Sequence, residues 1–299
     1  MAIYNQALKS GRLEIIVEKI KEIETKCNFC PLNCGVNRTI DLGRCKTGVK
    51  VPVAEYLVHL GEEAPIVGQN GTGAIFLSNC NLNCVFCQNS EVSQDGYGSL
   101  YDERQIADIM LELQSQGCHN IDWVSPTHCV NILVKSLFLA AQDGLNIPIV
   151  YNTNGYENIN TLGLLDGLID IYMPDIKWSN NSIGLKFSNV ENYTEINRQA
   201  IQEMHRQVGD LILDEDGVAI SGVLLRYLIL PNNVDDHGQT CQWILENLGE
   251  NTYISLLTEY YPCYKAYDFP ELSRQIVNEE IVQVIRCYEK HGFNRLEYY

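Results

Sequence analysis

Three of the twelve cysteines follow one another with the spacing Cys80-x3-Cys84-x2-Cys87. Thiolates are metal ligands, and three of them so close together can face one point only if the backbone wraps around it. A structural zinc ion would need a fourth protein ligand, and the residues that follow, Asn89, Ser90 and Glu91, are poor candidates. A 4Fe-4S cluster held by three thiolates leaves one iron open to another ligand. The spacing therefore predicts an open, reactive metal site.

A second group of cysteines precedes the first, with the spacing Cys27-x2-Cys30-x3-Cys34-x10-Cys45. Four thiolates make a closed shell with no open position, which favours a structural or electron-relay role. Such a shell holds either a zinc ion or a second iron-sulfur cluster, and both alternatives stay open. Four basic residues nearby would offset the negative charge of the thiolates: Arg38, Arg44, Lys46 and Lys50.

The other five cysteines are scattered along the chain. A free cysteine is among the residue types most often buried, so we expect these five to be small apolar core residues. They are Cys118, Cys129, Cys241, Cys263 and Cys287.

The composition excludes several classes of protein. The chain of 299 residues has 21 Lys and Arg against 38 Asp and Glu, a net charge of −17. That balance disfavours a polybasic nucleic-acid binder and a protein that docks on anionic membranes. No apolar run approaches the roughly 20 residues of a membrane helix, and residues 1–21 lack the apolar core of a secretory signal. We therefore expect a cytoplasmic protein, in which clustered thiols indicate metal chemistry rather than disulfides.

From Gly73 onward, short apolar runs alternate with amphipathic segments. Asp102, for example, predicts a helix N-cap with Gln105 as its capping-box partner. The predicted strands cover 75–77, 121–124, 149–151, 169–173, 223–230 and 253–257. Helices are expected over 102–116, 131–142, 196–207, 240–248 and 278–289. Six strands alternating with helices predict a parallel α/β sheet, as an open doubly wound sheet or a barrel. Residues 51–71 are expected to link the first cysteine group to this sheet, and 208–222 to form a solvated loop.

Both architectures place function at the carboxyl ends of the strands. Each predicted strand from the first to the fifth is followed directly by a polar or turn-forming segment. These segments are Ser78-Asn79-Cys80, Ser125-Pro126-Thr127-His128, Asn152-Thr153-Asn154-Gly155, Pro174-Asp175-Ile176-Lys177 and Pro231-Asn232-Asn233.

The spacing of Cys80, Cys84 and Cys87 resembles the signature of the radical S-adenosylmethionine (SAM) superfamily, whose members are partial β/α barrels. The resemblance implies a partial (β/α)6 barrel and a 4Fe-4S cluster whose open iron is chelated by the amino and carboxylate groups of SAM. Reduction then cleaves SAM to a 5′-deoxyadenosyl radical. Phe86 fits the family position at which an aromatic side chain packs by the adenine.

Further segments resemble the pyruvate formate-lyase activating enzyme and its relatives, beginning with the loop Asn81 to Asn89. Ser125-Pro126-Thr127 stands where that family has the Gly-Gly-Glu motif that binds the SAM amino group. This chain lacks both the glycine pair and the acid, so the resemblance leaves the contact to backbone carbonyls or to Thr127.

Three later segments complete the resemblance and lie at or near the SAM site of the family. Asn152-Thr153-Asn154-Gly155 is similar to the family segment Asp-Thr-Asn-Gly. Asp175-Ile176-Lys177 is similar to its Asp-x-Lys motif, and the strand from Arg226 to Pro231 to its Arg-x-x-x-x-Pro motif.

The residues themselves leave alternatives open at two of these positions. Arg226 shares a strand face with apolar neighbours, so its guanidinium needs an anionic partner. That partner is either the SAM carboxylate or an acid of the protein. Asp175 and Lys177 share a face if extended, so they either contact the ligand or pair with each other.

The sequence thus predicts a radical SAM enzyme similar to the glycyl-radical activating enzymes. We expect it to abstract a hydrogen atom from a protein or peptide. Its domains would be residues 1–72, with the cysteine-rich metal module, and 73–299, the barrel with its C-terminal helix. A flavodoxin or ferredoxin would supply the electron. One alternative is a radical SAM enzyme that acts on a small molecule; another is an iron-sulfur electron-transfer protein without SAM chemistry.

Replacing all four cysteines of the first group should remove one metal centre and leave the other. We expect the quadruple Cys→Ser variant at positions 27, 30, 34 and 45 to lose about one zinc or about four irons per chain, depending on which centre is present. Metal analysis of the variant beside the parent measures the loss. Unchanged zinc and iron would show that these four cysteines bind no metal.

Overall fold

The computed structural model of the chain describes residues 2–298. Ten strands occur in this part, all in one sheet. They are β1 (Val51–His59), β2 (Thr72–Leu77), β3 (Ser99–Tyr101), β4 (Ile121–Val124), β5 (Ile149–Thr153), β6 (Ile171–Pro174), β7 (Ile212–Leu213), β8 (Ala219–Leu228), β9 (Tyr253–Leu257) and β10 (Leu296–Tyr298).

Eleven α-helices surround the sheet in the same range. They are α1 (Tyr4–Lys9), α2 (Arg12–Glu24), α3 (Ala64–Val67), α4 (Ser90–Ser93), α5 (Glu103–Ser115), α6 (Val130–Gln142), α7 (Ile159–Leu165), α8 (Asn181–Ser188), α9 (Tyr193–Val208), α10 (His237–Asn247) and α11 (Asn278–Lys290). Among residues 2–298, no helix combines the length and the apolar character needed to cross a bilayer.

The order of the strands distinguishes between the two predicted architectures. Strands β2, β4, β5, β6, β8, β9 and β10 lie side by side in chain order, and each pairs with the next in parallel. A doubly wound sheet would reverse direction at a switch point, whereas this sheet winds one way, as in a barrel. The predicted partial barrel of six parallel strands is confirmed, and the short β10 adds a seventh that the sequence analysis did not predict.

The capping box predicted at Asp102 forms at the start of α5. The Asp102 side chain accepts from the Gln105 backbone N–H at 3.1 Å, and the Gln105 side chain accepts from the Asp102 N–H at 3.0 Å. The helix then buries the side of Ile106 and Met110. Because two backbone donors are satisfied locally, the start of this crossover helix is fixed by its own sequence.

The expectation that residues 51–71 form a linker is wrong. Nine of them make β1, which runs antiparallel to β2 with Tyr56 opposite Ile75. Strand β3 pairs with the other edge of β1. The sheet therefore extends past β2 by two further strands, β1 and β3. The predicted domain boundary at residue 72 falls at the start of β2.

The expectation of a solvated loop over 208–222 is also only partly met. Strand β7 pairs antiparallel with the start of β8, which begins at Ala219 rather than at Val223. The acidic turn between them, Asp214 to Gly217, is solvent-facing as expected.

The N-terminal helices pack against the barrel and share its core. Ile16 and Ile20 of α2 belong to the same buried cluster as Leu133 of α6. At the end of α2 the buried Glu24 forms an ion pair with Lys135 at 2.6 Å and accepts from Asn131 at 2.7 Å. A buried carboxylate is tolerated only with such partners, so this contact docks the segment that carries the first cysteine group.

The interior of the barrel has an apolar floor and a polar layer above it. Val150, Ile171 and Leu224 project inward and are closed off by Ile66 of α3. Two residues further along their strands, the same inward face carries Asn152 and Arg226, because side chains alternate with a period of two. The polar layer faces the carboxyl ends of the strands, where the sequence places the functional residues.

Candidate active site

The loop after β2 brings Cys80, Cys84 and Cys87 to the wall of one cavity of about 280 Å³. The opposite wall is built from the carboxyl ends of four strands and the segments that follow them. The predicted site residues in this wall are Ser125, Asn152, Thr153, Asn154, Asp175, Lys177 and Arg226, whereas Phe86 lines the cavity from the cysteine loop itself. Of the predicted residues outside the first cysteine group, only Thr127 does not line the cavity.

Backbone contacts hold the cysteine loop in place. The backbone N–H of Val85 donates to the Phe187 carbonyl at 2.9 Å, and that of Asn83 donates to the Ser188 carbonyl at 3.2 Å. From the other side, Lys265 N–H donates to the Val85 carbonyl at 2.9 Å. The loop is thus tied to the end of α8 and to the chain after β9, which holds its backbone in place.

The three thiols fit an iron-sulfur cluster better than a single zinc ion. Among the described residues, their sulfur atoms are not all within 4.8 Å of one another, whereas zinc with Zn–S bonds of about 2.3 Å needs sulfur atoms about 3.8 Å apart. Burial raises the pKa of Cys80 to about 11 and that of Cys84 to about 12. A bound metal is what would keep such thiols deprotonated.

Phe86 is buried beside the cluster loop and lines the cavity. Its ring meets Trp178 edge to face, with centroids 5.6 Å apart, and lies 6.4 Å from Tyr260. These contacts leave little rotational freedom to the ring. Its predicted packing by an adenine stays a prediction.

Arg226 stands in the cavity wall with three partners. Its guanidinium donates to Asp175 at 3.0 Å, to Glu62 at 3.3 Å and to the Asn152 side-chain oxygen at 2.5 Å. Lys177 pairs with the other oxygen of Asp175 at 2.6 Å. In spite of burial, Lys177 and Arg226 together hold the pKa of Asp175 below its ordinary value. The internal ion pairs weighed as alternatives at Arg226, Asp175 and Lys177 are therefore present, at the surface of the cavity.

Carboxylates outnumber cations around Arg226. Glu63 and Asp122 are buried close to it, and neither Glu63 oxygen nor Asp122 Oδ1 has a hydrogen-bond partner within residues 2–298. Burial raises the pKa of Glu63 to about 7 and that of Asp122 well above its ordinary value. An unpaired buried carboxylate costs free energy, so the binding of an additional positive charge at this site would be favourable. SAM, which carries an ammonium and a sulfonium group, fits this demand.

The expected contact of the Thr127 hydroxyl with the SAM amino group is not supported by its position. Thr127 is buried, and its hydroxyl donates to Glu157 at 2.5 Å; Thr153 donates to the same carboxylate. Burial raises the pKa of Glu157 to about 7. Ser125, by contrast, lines the cavity in a left-handed backbone conformation with φ of 61°.

Asn154 links the strand tips to the cluster loop. Its side-chain amide donates to Asn81 Oδ1 at 2.7 Å and lies 3.4 Å from the sulfur of Cys80. A hydrogen bond to sulfur stabilises the thiolate form, so Asn154 can tune a metal held there.

The first cysteine group surrounds a buried arginine. The Arg38 guanidinium donates to Cys27 Sγ at 3.0 Å and to the His128 carbonyl at 2.6 Å, and it lies 3.5 Å from Cys45 Sγ. Cys45 and Cys80 also line one common cavity of about 310 Å³. The two cysteine groups are therefore neighbours in space. Arg38 links the first of them to the tip of β4.

Sequence reasoning missed three acidic residues of the site. Glu62 and Glu63 lie in the segment treated as a linker, so no strand pattern drew attention to them. Asp122 did carry a signal, because it is a charged residue inside the otherwise apolar strand Ile121-Asp122-Trp123-Val124.

Comparison with known proteins assigns the family. The family model of the radical SAM superfamily matches residues 74–244, more than half of the chain. The protein belongs to this superfamily, whose members are oxidoreductases that use a 4Fe-4S cluster and SAM. The match begins in β2 and ends within α10, so it contains the cysteine loop and all the residues that line the cavity except Glu62 and Leu257.

The chain is similar to the uncharacterized protein MJ0674 of Methanocaldococcus jannaschii, with 32% identity, covering 96% of this chain and 81% of the relative. A second protein of that organism, the uncharacterized MJ0808, is 22% identical over 90% of this chain and 82% of its own length.

Two solved structures share the fold at low sequence identity. Streptococcus suis SuiB, solved with its precursor peptide SuiA, matches with a TM-score of 0.51 and 12% identity. The match covers 74% of this chain and 46% of SuiB, so the chain spans less than half of that protein. HydG, a maturase of the FeFe-hydrogenase, matches with a TM-score of 0.51 and 10% identity, covering 98% of this chain and 65% of HydG.

If Arg226 exchanges a protein carboxylate for that of SAM, its removal weakens SAM binding. We expect Arg226→Ala to lose about 1.5–3 kcal/mol, tenfold or more in affinity. Arg226→Lys should be intermediate, because it keeps the charge but not the fork of donors. Isothermal titration of the anaerobically reconstituted protein measures both.

Arg206→Ala is the matched control, since Arg206 is an exposed arginine of α9 paired with Glu203 and Asp166. It should bind SAM like the parent. Equal SAM affinity in Arg226→Ala and parent, at equal iron content, would mean that Arg226 serves only its internal ion pairs.

Proposed function

We propose that the protein is a radical SAM enzyme of the activating-enzyme type, which abstracts a hydrogen atom from a protein or peptide. The observation that carries the proposal is that three cysteine thiols and a layer of paired charges share one cavity at the carboxyl ends of parallel strands. Cys80, Cys84 and Cys87 would hold a 4Fe-4S cluster there. The bound cluster and SAM would supply reductive cleavage of SAM and a radical that removes a hydrogen atom.

The residues of the chain position SAM and exclude water. Arg226 and Asn152 can donate hydrogen bonds to the SAM carboxylate. Glu62 and Glu63 line the part of the site in which a positively charged group would be stabilised. The apolar side chains Leu82 and Phe86 close the cavity beside the cysteines. A shielded site protects a radical from solvent and oxygen, which is what the protein contributes when a cofactor does the chemistry.

Space for a substrate lies next to the SAM region. A second cavity of about 200 Å³ shares Glu62, Gln88 and Arg226 with the first and continues past Leu257 to Glu259. An extended peptide could enter along this path. SuiB, which has been solved with a precursor peptide, shares only the fold, yet it makes a peptide the first substrate to test.

A small-molecule substrate is the second candidate, and the acidic residues Glu62 and Glu63 favour it. Glu62 and Glu63 line the adjoining cavity together with Glu259. Buried carboxylates would select a compact molecule with a positive charge.

The first cysteine group is proposed to hold a second metal centre close to the SAM cluster. Its four thiols form a closed set, which suits either a zinc ion or a second iron-sulfur cluster. Arg44 and Lys46 border the cavity that joins Cys45 to Cys80. These two residues form a local basic surface on a chain of net charge −17. An acidic electron donor such as a flavodoxin or ferredoxin would dock there.

Reconstituted, reduced protein should cleave SAM to 5′-deoxyadenosine and methionine. Cys84→Ala should lose this activity and about four irons per chain, since the cluster needs all three thiolates. Cys118→Ala is the control, because Cys118 is a buried free cysteine outside both groups. Chromatography of the products and iron analysis give the two readouts. Cleavage at the parent rate by Cys84→Ala would refute the assignment of the cluster.

A further inference from the structure

Two of the scattered cysteines meet a histidine on the outside of the barrel. Cys241 of α10, Cys287 of α11 and His291, directly after α11, present ligand atoms that all lie within 4.8 Å of one another. The sequence analysis expected both cysteines to be ordinary core residues. None of the three lines the active-site cavity.

The helix geometry explains why they converge. Cys287 and His291 are four residues apart, which puts both side chains on one face of the end of α11. That face packs against α10, which supplies Cys241. His291 Nδ1 lies 3.9 Å from Cys287 Sγ and donates to the Cys287 carbonyl oxygen at 2.7 Å, so a bound ion would replace this hydrogen bond.

The spacing distinguishes this set from the two cysteine groups described above. Within residues 2–298, it is the one group of three Cys, His, Asp or Glu ligand atoms that falls inside 4.8 Å. Tetrahedral zinc needs its ligand atoms roughly 3.5–4 Å apart, given bonds of about 2.0–2.3 Å. The set is therefore too compact for an iron-sulfur cluster and is the right size for a single ion.

Charge and burial favour the same kind of ion. Two thiolates neutralise a divalent cation, so the loaded site would carry no net charge at a place where Cys241 is fully buried. Cys287 and His291 are partly exposed, which leaves a path for the ion and for a water molecule as the fourth ligand. Thiolate and imidazole together select zinc over magnesium or calcium.

We propose that Cys241, Cys287 and His291 form a zinc site that clips α10 to α11. Helix α11 also contacts the chain that follows β8. At the first turn of α11, Glu280 accepts from the Asn232 backbone N–H at 2.7 Å, and Asn232 lies four residues after the end of β8, the strand of Arg226. Zinc bound here raises the stability of the C-terminal helices and of this connection, because it binds the folded state only.

Cobalt(II) is the probe, since it reports thiolate ligands and tetrahedral geometry by absorption. Anaerobically reconstituted, reduced holoprotein with its iron-sulfur centres loaded is titrated with cobalt chloride. We expect about one cobalt per chain, with sulfur-to-cobalt charge-transfer and tetrahedral d–d bands, displaced by zinc. Zinc should also raise the melting temperature of the parent.

The variants separate this site from the other thiols. Cys241→Ser and His291→Asn should each lose the cobalt bands and the thermal shift by zinc, whereas Cys118→Ser should keep both. His291 is partly exposed, so His291→Asn decides the matter if Cys241→Ser does not fold. Cobalt bands unchanged in His291→Asn would overturn the proposal. So would a parent that binds no cobalt when reduced and only forms a Cys241–Cys287 disulfide when oxidised.

Discussion

The hydrogen bonds and ion pairs of the partly buried Arg226 guanidinium are the interactions on which the site depends. The guanidinium joins β8 to Asp175 after β6, to Asn152 of β5 and to Glu62 after β1, so four segments of the chain meet at one charge. An arginine inside a barrel is stable only with such partners, because desolvation of an unpaired charge costs several kcal/mol. The same partners hold the carboxyl ends of the strands in register at the point where the ligand must bind.

Positively charged side chains lie beside both cysteine groups as well as in the strands of the barrel. Asp175 connects Arg226 to Lys177, and the positive charge of Lys177 opposes the effect of burial on the thiol of Cys84. Arg38 has the corresponding place in the first cysteine group, where it contacts Cys27 and the backbone of His128. Each cysteine group thus has a cation beside it, the partly buried Lys177 or the buried Arg38, which suits clusters held by thiolates. Glu63 and Asp122 add unpaired carboxyl groups beside Arg226, and a positively charged ligand such as SAM would stabilise their ionised forms.

Much of this could be predicted from local sequence, and the limits have physical reasons. The parallel strands and the capping box at Asp102 depend on periodicity and on hydrogen bonds within a few residues, and both formed as expected. Strand β1 was missed because Pro52 and Glu55 interrupt its run of apolar residues. The position of the Thr127 hydroxyl away from the cavity depends on its hydrogen bond to Glu157, and the meeting of Cys241 with Cys287 depends on helix packing. Contacts of this kind are set by the tertiary fold, so no short stretch of sequence records them.

The central claim is that SAM binds to an open iron beside Arg226 in the barrel cavity. The most direct measurement is electron paramagnetic resonance of the reduced, reconstituted protein, with and without SAM labelled with ¹⁵N at its amino group. The account predicts a changed cluster spectrum and a ¹⁵N coupling detected by electron-nuclear double resonance, both absent in Cys84→Ala. An unchanged spectrum with no ¹⁵N coupling, at a SAM concentration shown by titration to saturate the protein, would contradict it.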